Sequence, residues 1–365
     1  MIAPGEIQSY LQKICHHYEQ WWTVDALTET IAVQQATFSF EQMVRTEEKN
    51  SQGNLKKVSL PIFTGIQNYI ESEHILLVGS PGVGKSTALL RCLVQLAEIE
   101  QVNLEPRIPV LISLKRYNSN RFSCPEDPSG ILALIKDTLE PDLWLEISAI
   151  KKLLFQDKRL ILLLDGLNEM SAGEKRTELE EFRRKCDRCK VPLICTTREL
   201  GSGDLSIKRK LEIQPLNPTE IDRFLQECLP EQKQKVSKLL NRDNRELSRT
   251  PFMLWMLYAL FQKQGTEVET LAEAIRQFFR SFNKNYKEDV PVTDERRKNW
   301  NSWLKHLAFT MLNTPDPTDP GLVISRERAT QILDDRFGKL PDDSSRIEEL
   351  LKYHVLESVV LFRKG

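Results

Sequence analysis

Residues 75–86 constrain the fold more than any other stretch. An apolar run, Ile75, Leu76, Leu77 and Val78, enters Gly79, Ser80, Pro81, Gly82, Val83, Gly84, Lys85 and Ser86, and a helical segment, 85–98, leaves it. The octet fits G-x-x-x-x-G-K-[ST] in full, in its required strand–turn–helix context. Such a turn points its backbone N–H groups inward around an anion, where a Cβ would obstruct, so glycines are needed. The helix starting near Lys85 adds the positive end of its dipole. The pattern assigns Lys85 to the β- and γ-phosphates of ATP or GTP and the Ser86 hydroxyl to Mg²⁺.

A metal–nucleotide site needs a carboxylate from a second strand. The run 160–164 ends in Asp165, at the carboxyl edge where open α/β sheets bind ligands. Asp165 is therefore the second expected metal ligand. Gly166, Leu167, Asn168 and Glu169 follow. Gly166 leaves space beside Asp165, and Glu169 is the candidate to orient or deprotonate an attacking water. The plainer alternative is a surface glutamate in a strand-to-helix turn. A further strand ends in Cys195, Thr196, Thr197 and Arg198. Arg198 at that position would reach the γ-phosphate and stabilise transition-state charge, or would pair with Glu199 at the surface. Thr196 and Thr197 are expected to hydrogen-bond the same water.

Residues 56–215 alternate apolar runs with helical patterns. Strands are expected at 75–78, 110–114, 160–164, 191–196 and 211–213, with helices at 85–98, 131–139, 143–155 and 173–190. Continuous apolar runs signal strands buried on both faces, and hence a parallel sheet flanked by helices. After Pro215 the strand signal stops. Asn217, Pro218 and Glu220 mark a helix start. Helices follow at 222–229, 232–240, 251–264, 271–285, 295–312, 325–337 and 343–354, with a proline-rich loop at 313–321. Ahead of the sheet, Ile7, Leu11, Ile14 and Cys15 share one helix face, Phe38 and Phe40 alternate like a strand, and 47–57 reads as a loop. Thr64 and Gln67 suggest a capping box.

At 365 residues the chain exceeds one average domain of ~150 residues. Its formal net charge of −1 gives no global basic field, so nucleic acid is not indicated. The longest apolar run, 252–261, falls short of the ~18 residues of a membrane span. No signal peptide opens the chain, so a cytoplasmic location is expected. Of seven cysteines, Cys92 and Cys195 read as core, and Cys186 with Cys189 as a helix-end pair lacking further zinc ligands at suitable spacing. The charges of 174–190 read as a solvated helix face. Phe252, Trp255, Met256, Tyr258 and Phe261, like Trp300 and Trp303, read as helix core, and His16 and His17 as surface.

Taken together, 79–87 (ending in Thr87), 160–169 with its Asp-Gly-x-x-Glu ending, and 192–198 resemble NACHT-domain NTPases, members of the STAND class of P-loop switch proteins. The segments 10–22 and 271–361 look like those of bacterial, especially cyanobacterial, NACHT proteins. The resemblance implies an N-terminal helical region (1–55), a nucleotide-binding domain (56–215), a small helical domain (216–265) and a winged-helix domain (266–365). It implies ATP and ADP as ligands, since no N-K-x-D guanine motif follows. Pro251 stands where such proteins carry a helical-domain proline packed on the adenine; it also suits a helix N1 position. The resemblance further implies self-association in an activated state, and many bacterial members resemble antiphage defence proteins. Two features depart from the family. Asn168 stands where an acidic residue is usual, so slow hydrolysis is expected. The chain stops at Gly365, where members continue through a His-bearing helix to a C-terminal sensor, which implies a fragment, a minimal member or a separate trigger.

Two readings stay open: a slow ATP-hydrolysing switch, and a non-catalytic scaffold clamped by structural ADP. A small-molecule kinase fits less well, because it leaves the helical half without a role.

Overall fold

Seven strands form one sheet: β1 (Met43–Lys49), β2 (Leu55–Pro61), β3 (Ile75–Val78), β4 (Ile108–Ser113), β5 (Leu160–Asp165), β6 (Leu193–Thr197) and β7 (Arg209–Ile213). Their spatial order is β2-β1-β7-β3-β6-β5-β4. The five strands from β7 to β4 are parallel, and β1 runs antiparallel to both β2 and β7. This computed structural model describes residues 4–18, 38, 40–49, 54–114, 117, 130–169, 174–198, 205–242, 249–261, 268–286, 294–313, 324, 326–340, 346, 347 and 350.

The parallel strands are the continuous apolar runs of the sequence. Leu162, Leu163, Leu193, Ile194 and Leu211 are fully buried. Each such side chain contributes roughly 1.5–3 kcal/mol relative to exposure. Helices α1 (Pro4–His17), α2 (Ile62–Tyr69), α3 (Lys85–Glu100), α4 (Ile131–Leu139), α5 (Ile147–Phe155) and α6 (Glu174–Cys189) flank them. The stripe Ile7, Leu11 and Ile14 of α1 joins the same core. The Tyr10 hydroxyl donates to the Pro109 carbonyl at 2.8 Å, which ties α1 to β4. Burial pushes the Cys92 and Cys195 thiols up to about 12, which leaves them as packing groups.

Three local expectations change. Residues 47–57 contain most of a hairpin, not one loop: Glu47 faces Lys57 and Glu48 faces Lys56 across β1 and β2. Helix α2 starts after Pro61 with no side-chain cap, so Thr64 lies inside it and no capping box forms. Arg183 of α6 is buried, held by Glu180 and Asp187 at 2.9 Å each, so the charged helix is only partly a solvated face.

Helices α7 (Pro218–Cys228), α8 (Lys233–Arg242) and α9 (Pro251–Phe261) follow the sheet. Asn217 caps α7 by accepting the Glu220 N–H at 2.8 Å. They belong to the compact unit 1–278 that holds the sheet; a second unit spans 279–365. Helix α10 (Leu271–Tyr286) crosses that boundary, and α11 (Asp294–Asn313) and α12 (Arg326–Phe337) lie in the second unit. Its core gathers Trp300, Trp303, Leu304, Leu307, Ile332 and Leu333. There Arg346 is buried and donates to Asp334 at 3.0 Å and to the Phe337 carbonyl at 3.2 Å, satisfying the end of α12. No strand follows β7 among the described residues.

Candidate nucleotide site

The turn 79–84 joins β3 to α3 at the carboxyl edge of the sheet. Gly82 and Gly84 take positive φ, +76° and +95°. A Cβ on Gly79 would lie 2.8 Å from Val83, and one on Gly82 would lie 2.9 Å from the Phe252 Cβ. These glycines answer both to conformation and to close approach. Gly84 begins α3 without a side-chain cap. The first-turn N–H groups, those of Lys85, Ser86 and Thr87, therefore lack the i−4 carbonyl partners of a helix interior. The Lys85 ammonium wraps the turn, donating to the Gly79 carbonyl at 2.7 Å and to the Ser80 carbonyl at 3.1 Å. Pro81 is half-buried and the Ser86 residue is exposed.

Strand order separates the turn from the carboxylate. β6 lies between β3 and β5, so Lys85 and Asp165 leave the same edge two strand spacings apart, roughly 10 Å. Val78 is in register with Thr197, and Leu164 with Cys195. Gly79 therefore stands abreast of Arg198, and Asp165 abreast of Thr196. Three sequence motifs meet along one edge.

Thr196 does more than face a water. Its hydroxyl donates to Asp165 Oδ1 and accepts the Gly166 N–H at 2.8 Å. One carboxylate oxygen is thus fixed by the protein. The Asp165 Oδ2 has no hydrogen-bond partner among the described residues. Sequence reasoning grouped Thr196 with Thr197; the signal it lacked was register, which alone tells which threonine meets the carboxylate. Thr197 points elsewhere, its buried hydroxyl lacking a partner among the described residues.

Arg198 is half-buried just beyond β6. Glu199 lies outside the described residues. Glu169 closes the short 3-10 turn Leu167–Glu169 after Gly166, and its side chain is likewise outside them; Asn168 is half-buried.

The other wall comes from α9. Pro251 is its first residue, and the Thr250 hydroxyl accepts the Met253 N–H at 3.3 Å. The Phe252 N–H donates to the Gly82 carbonyl at 3.3 Å, which sets Pro251 next to the phosphate turn. Phe40, Phe224 and Trp255 pack together beside it, with Phe40 stacked on Phe224 at 5.3 Å.

The donor set fits Mg²⁺. An exposed hydroxyl at a helix start and one fixed, half-exposed carboxylate offer hard oxygens but few of them. Mg²⁺ bound with substrate phosphates uses such sparse protein ligation. No group of three His, Cys, Asp or Glu side chains able to hold a metal occurs among the described residues.

A mostly parallel sheet with a G-x-x-x-x-G-K-S turn, and a carboxylate two strands away, defines a P-loop nucleotide-binding domain. Residues 73–232 match the NACHT domain family. That segment, which holds the turn 79–84, Asp165 and Arg198, therefore reads as a NACHT domain. No curated protein matches the sequence significantly. Solved structures give distant likenesses. Cdc6p from Pyrobaculum aerophilum is 14% identical over 81% of this chain and 83% of its own, with a TM-score of 0.35. The Aeropyrum pernix ORC1 protein in complex with DNA is 12% identical over 82% and 80%, with a TM-score of 0.44. A Signal Transduction ATPase with Numerous Domains (STAND) protein with a tetratricopeptide repeat sensor, from Pyrococcus horikoshii, is 12% identical over 81% of this chain and 44% of its own, with a TM-score of 0.34. No described helix is long and apolar enough to cross a membrane.

Proposed function

We propose that the protein is an ATP-binding, slowly hydrolysing switch of the NACHT and STAND type. Its nucleotide state would control conformation and self-association. The observation that supports this reading is that Lys85 and Arg198 follow β3 and β6, and Asp165 ends β5, neighbouring strands at one sheet edge, with Thr196 of the middle strand bonded to the Asp165 carboxylate.

The turn 79–84 and the first turn of α3 bind the phosphates through their N–H groups. Lys85 exchanges its carbonyl contacts for phosphate oxygens. Ser86 and Asp165 are the residues that would hold Mg²⁺, which would supply charge neutralisation for the phosphates. Arg198 contacts the γ-phosphate and stabilises the charge that develops as it leaves. Glu169 orients the attacking water and takes its proton. Asn168, which cannot serve as a base, leaves Glu169 alone in that task and keeps turnover slow. Pro251 packs on the adenine.

Of the expected organisation, a helical domain at 216–265 and a winged-helix domain at 266–365 are kept, while the nucleotide-binding domain starts ahead of residue 56, because β1 (Met43–Lys49) of the 1–55 region pairs into its sheet. A cytoplasmic place in antiphage defence fits this class of switch. A scaffold that keeps ADP as a structural ligand is the second reading, favoured by Asn168.

The test is to identify co-purified nucleotide and to measure phosphate release from ATP for wild type and Glu169→Gln. Release that falls at least tenfold in the variant supports the switch. Release equal in both removes Glu169 as base, and bound ADP with no release under any condition supports the scaffold.

A further inference from the structure

Two adjacent peptides of the phosphate turn are gripped from outside the sheet. The Phe252 N–H donates to the Gly82 carbonyl at 3.3 Å. The Gln42 side-chain amide donates through Nε2 to the Val83 carbonyl. We propose that Gln42 is a positioning residue for nucleotide phosphates. Its amide, together with the Phe252 N–H, locks the 82–84 peptides with carbonyls outward and N–H groups inward. The inference rests on the reading of 79–87 as a nucleotide site.

The geometry of the peptide unit supplies the reason. In a trans peptide the C=O and N–H point in opposite directions, and no described peptide is cis. The Gly82 carbonyl shares its peptide with the Val83 N–H, and the Val83 carbonyl shares its own with the Gly84 N–H. Drawing both carbonyls outward turns both N–H groups toward the interior of the turn. Inside it the Val83 N–H makes only a long contact, 3.4 Å, to the Ser80 carbonyl.

Glycine makes such a grip necessary. Gly82 and Gly84, at φ +76° and +95°, flank the held residue. Residues without a Cβ rotate at little cost, so an unheld turn samples orientations that bind no anion. Fixing the donors beforehand removes that ordering cost from binding.

Gln42 is itself well anchored. Its carbonyl accepts the Ile62 N–H at 3.0 Å, and the next carbonyl, that of Met43, accepts the Gln214 N–H at 2.8 Å. The preceding Glu41 N–H donates to Glu220 of α7 at 3.3 Å. The amide fills the space beside Gly84, where an added Cβ would lie 2.6 Å from Nε2. A methionine keeps this bulk without a donor. An asparagine keeps the donor on a side chain one methylene short.

The experiment measures ADP and AMP affinity by calorimetry, in EDTA, for wild type, Gln42→Met and Gln42→Asn, with melting curves as a check on folding. AMP lacks the β-phosphate that the turn cradles. ADP affinity is expected to fall roughly five- to tenfold in both variants, with AMP affinity changing by less than about twofold. Unchanged ADP affinity overturns the inference. So do equal losses for ADP and AMP, which would assign Gln42 to the fold or the base. If Gln42→Met fails to fold, the Gln42→Asn comparison decides alone. Wild-type protein that binds neither nucleotide removes the underlying nucleotide reading instead.

Discussion

Thr196 and Asp165 are bonded side chain to side chain across neighbouring strands, while the Thr196 hydroxyl also accepts the Gly166 amide at 2.8 Å. A hydroxyl carries one proton, so accepting from Gly166 commits that proton to Asp165. The carboxylate is thereby oriented through Oδ1, which leaves Oδ2 as the oxygen to face a metal. Thr196→Val should leave nucleotide affinity in EDTA within about twofold, yet raise the Mg²⁺ concentration needed for tight binding roughly tenfold. Thr196→Ser should restore it. Metal titrations monitored with a fluorescent nucleotide separate these outcomes, and a valine variant with an unaltered Mg²⁺ requirement would remove the positioning role.

Arg198 gives a different signature. If its guanidinium meets only the γ-phosphate, Arg198→Ala should bind ADP as wild type does. It should lose the preference for ATP over ADP and slow phosphate release by roughly 100-fold. An equal loss of affinity for both nucleotides would place Arg198 away from the γ-phosphate.

His74 makes stability depend on pH. Its Nδ1 accepts the Leu193 N–H at 3.0 Å at the start of β6. Burial holds its pKa below the usual 6.5, and the Arg183 charge acts the same way, while Asp187, 3.3 Å away, a hydrogen bond to the Arg183 backbone and Glu180 oppose them. The fold thus favours neutral imidazole. As pH falls below 6.5 the unfolded chain takes up the proton first, so this contribution is present above 6.5 and lost on the way down to the folded-state value. His74→Asn keeps an acceptor and removes the titration. The drop in melting temperature between about pH 7.5 and about pH 5 should be smaller in this variant than in wild type. Equal drops would exclude His74.

Much of this was legible in the residues. The parallel strands announced themselves because burial on both faces demands unbroken apolar runs, as in 160–164. The phosphate turn was legible because its glycines, lysine and serine have fixed spacing. The β1–β2 hairpin was not. It sits at the sheet edge, and facing pairs such as Glu47 and Lys57 look like loop composition. Strand order was equally hidden, since nothing local in 193–197 says that β6 inserts between β3 and β5. Gln42 carries no motif at all; its contact to Val83 spans 41 residues and exists only once the chain has folded.

The central claim is that residues 79–87 and Asp165 hold one nucleotide's phosphates at a single sheet edge. Equilibrium titration of ATP into wild type and Lys85→Ala, at saturating Mg²⁺, addresses it most directly. Binding should weaken at least 100-fold in the variant while its melting curve keeps its cooperativity. Full ATP affinity in a folded Lys85→Ala protein would contradict the account.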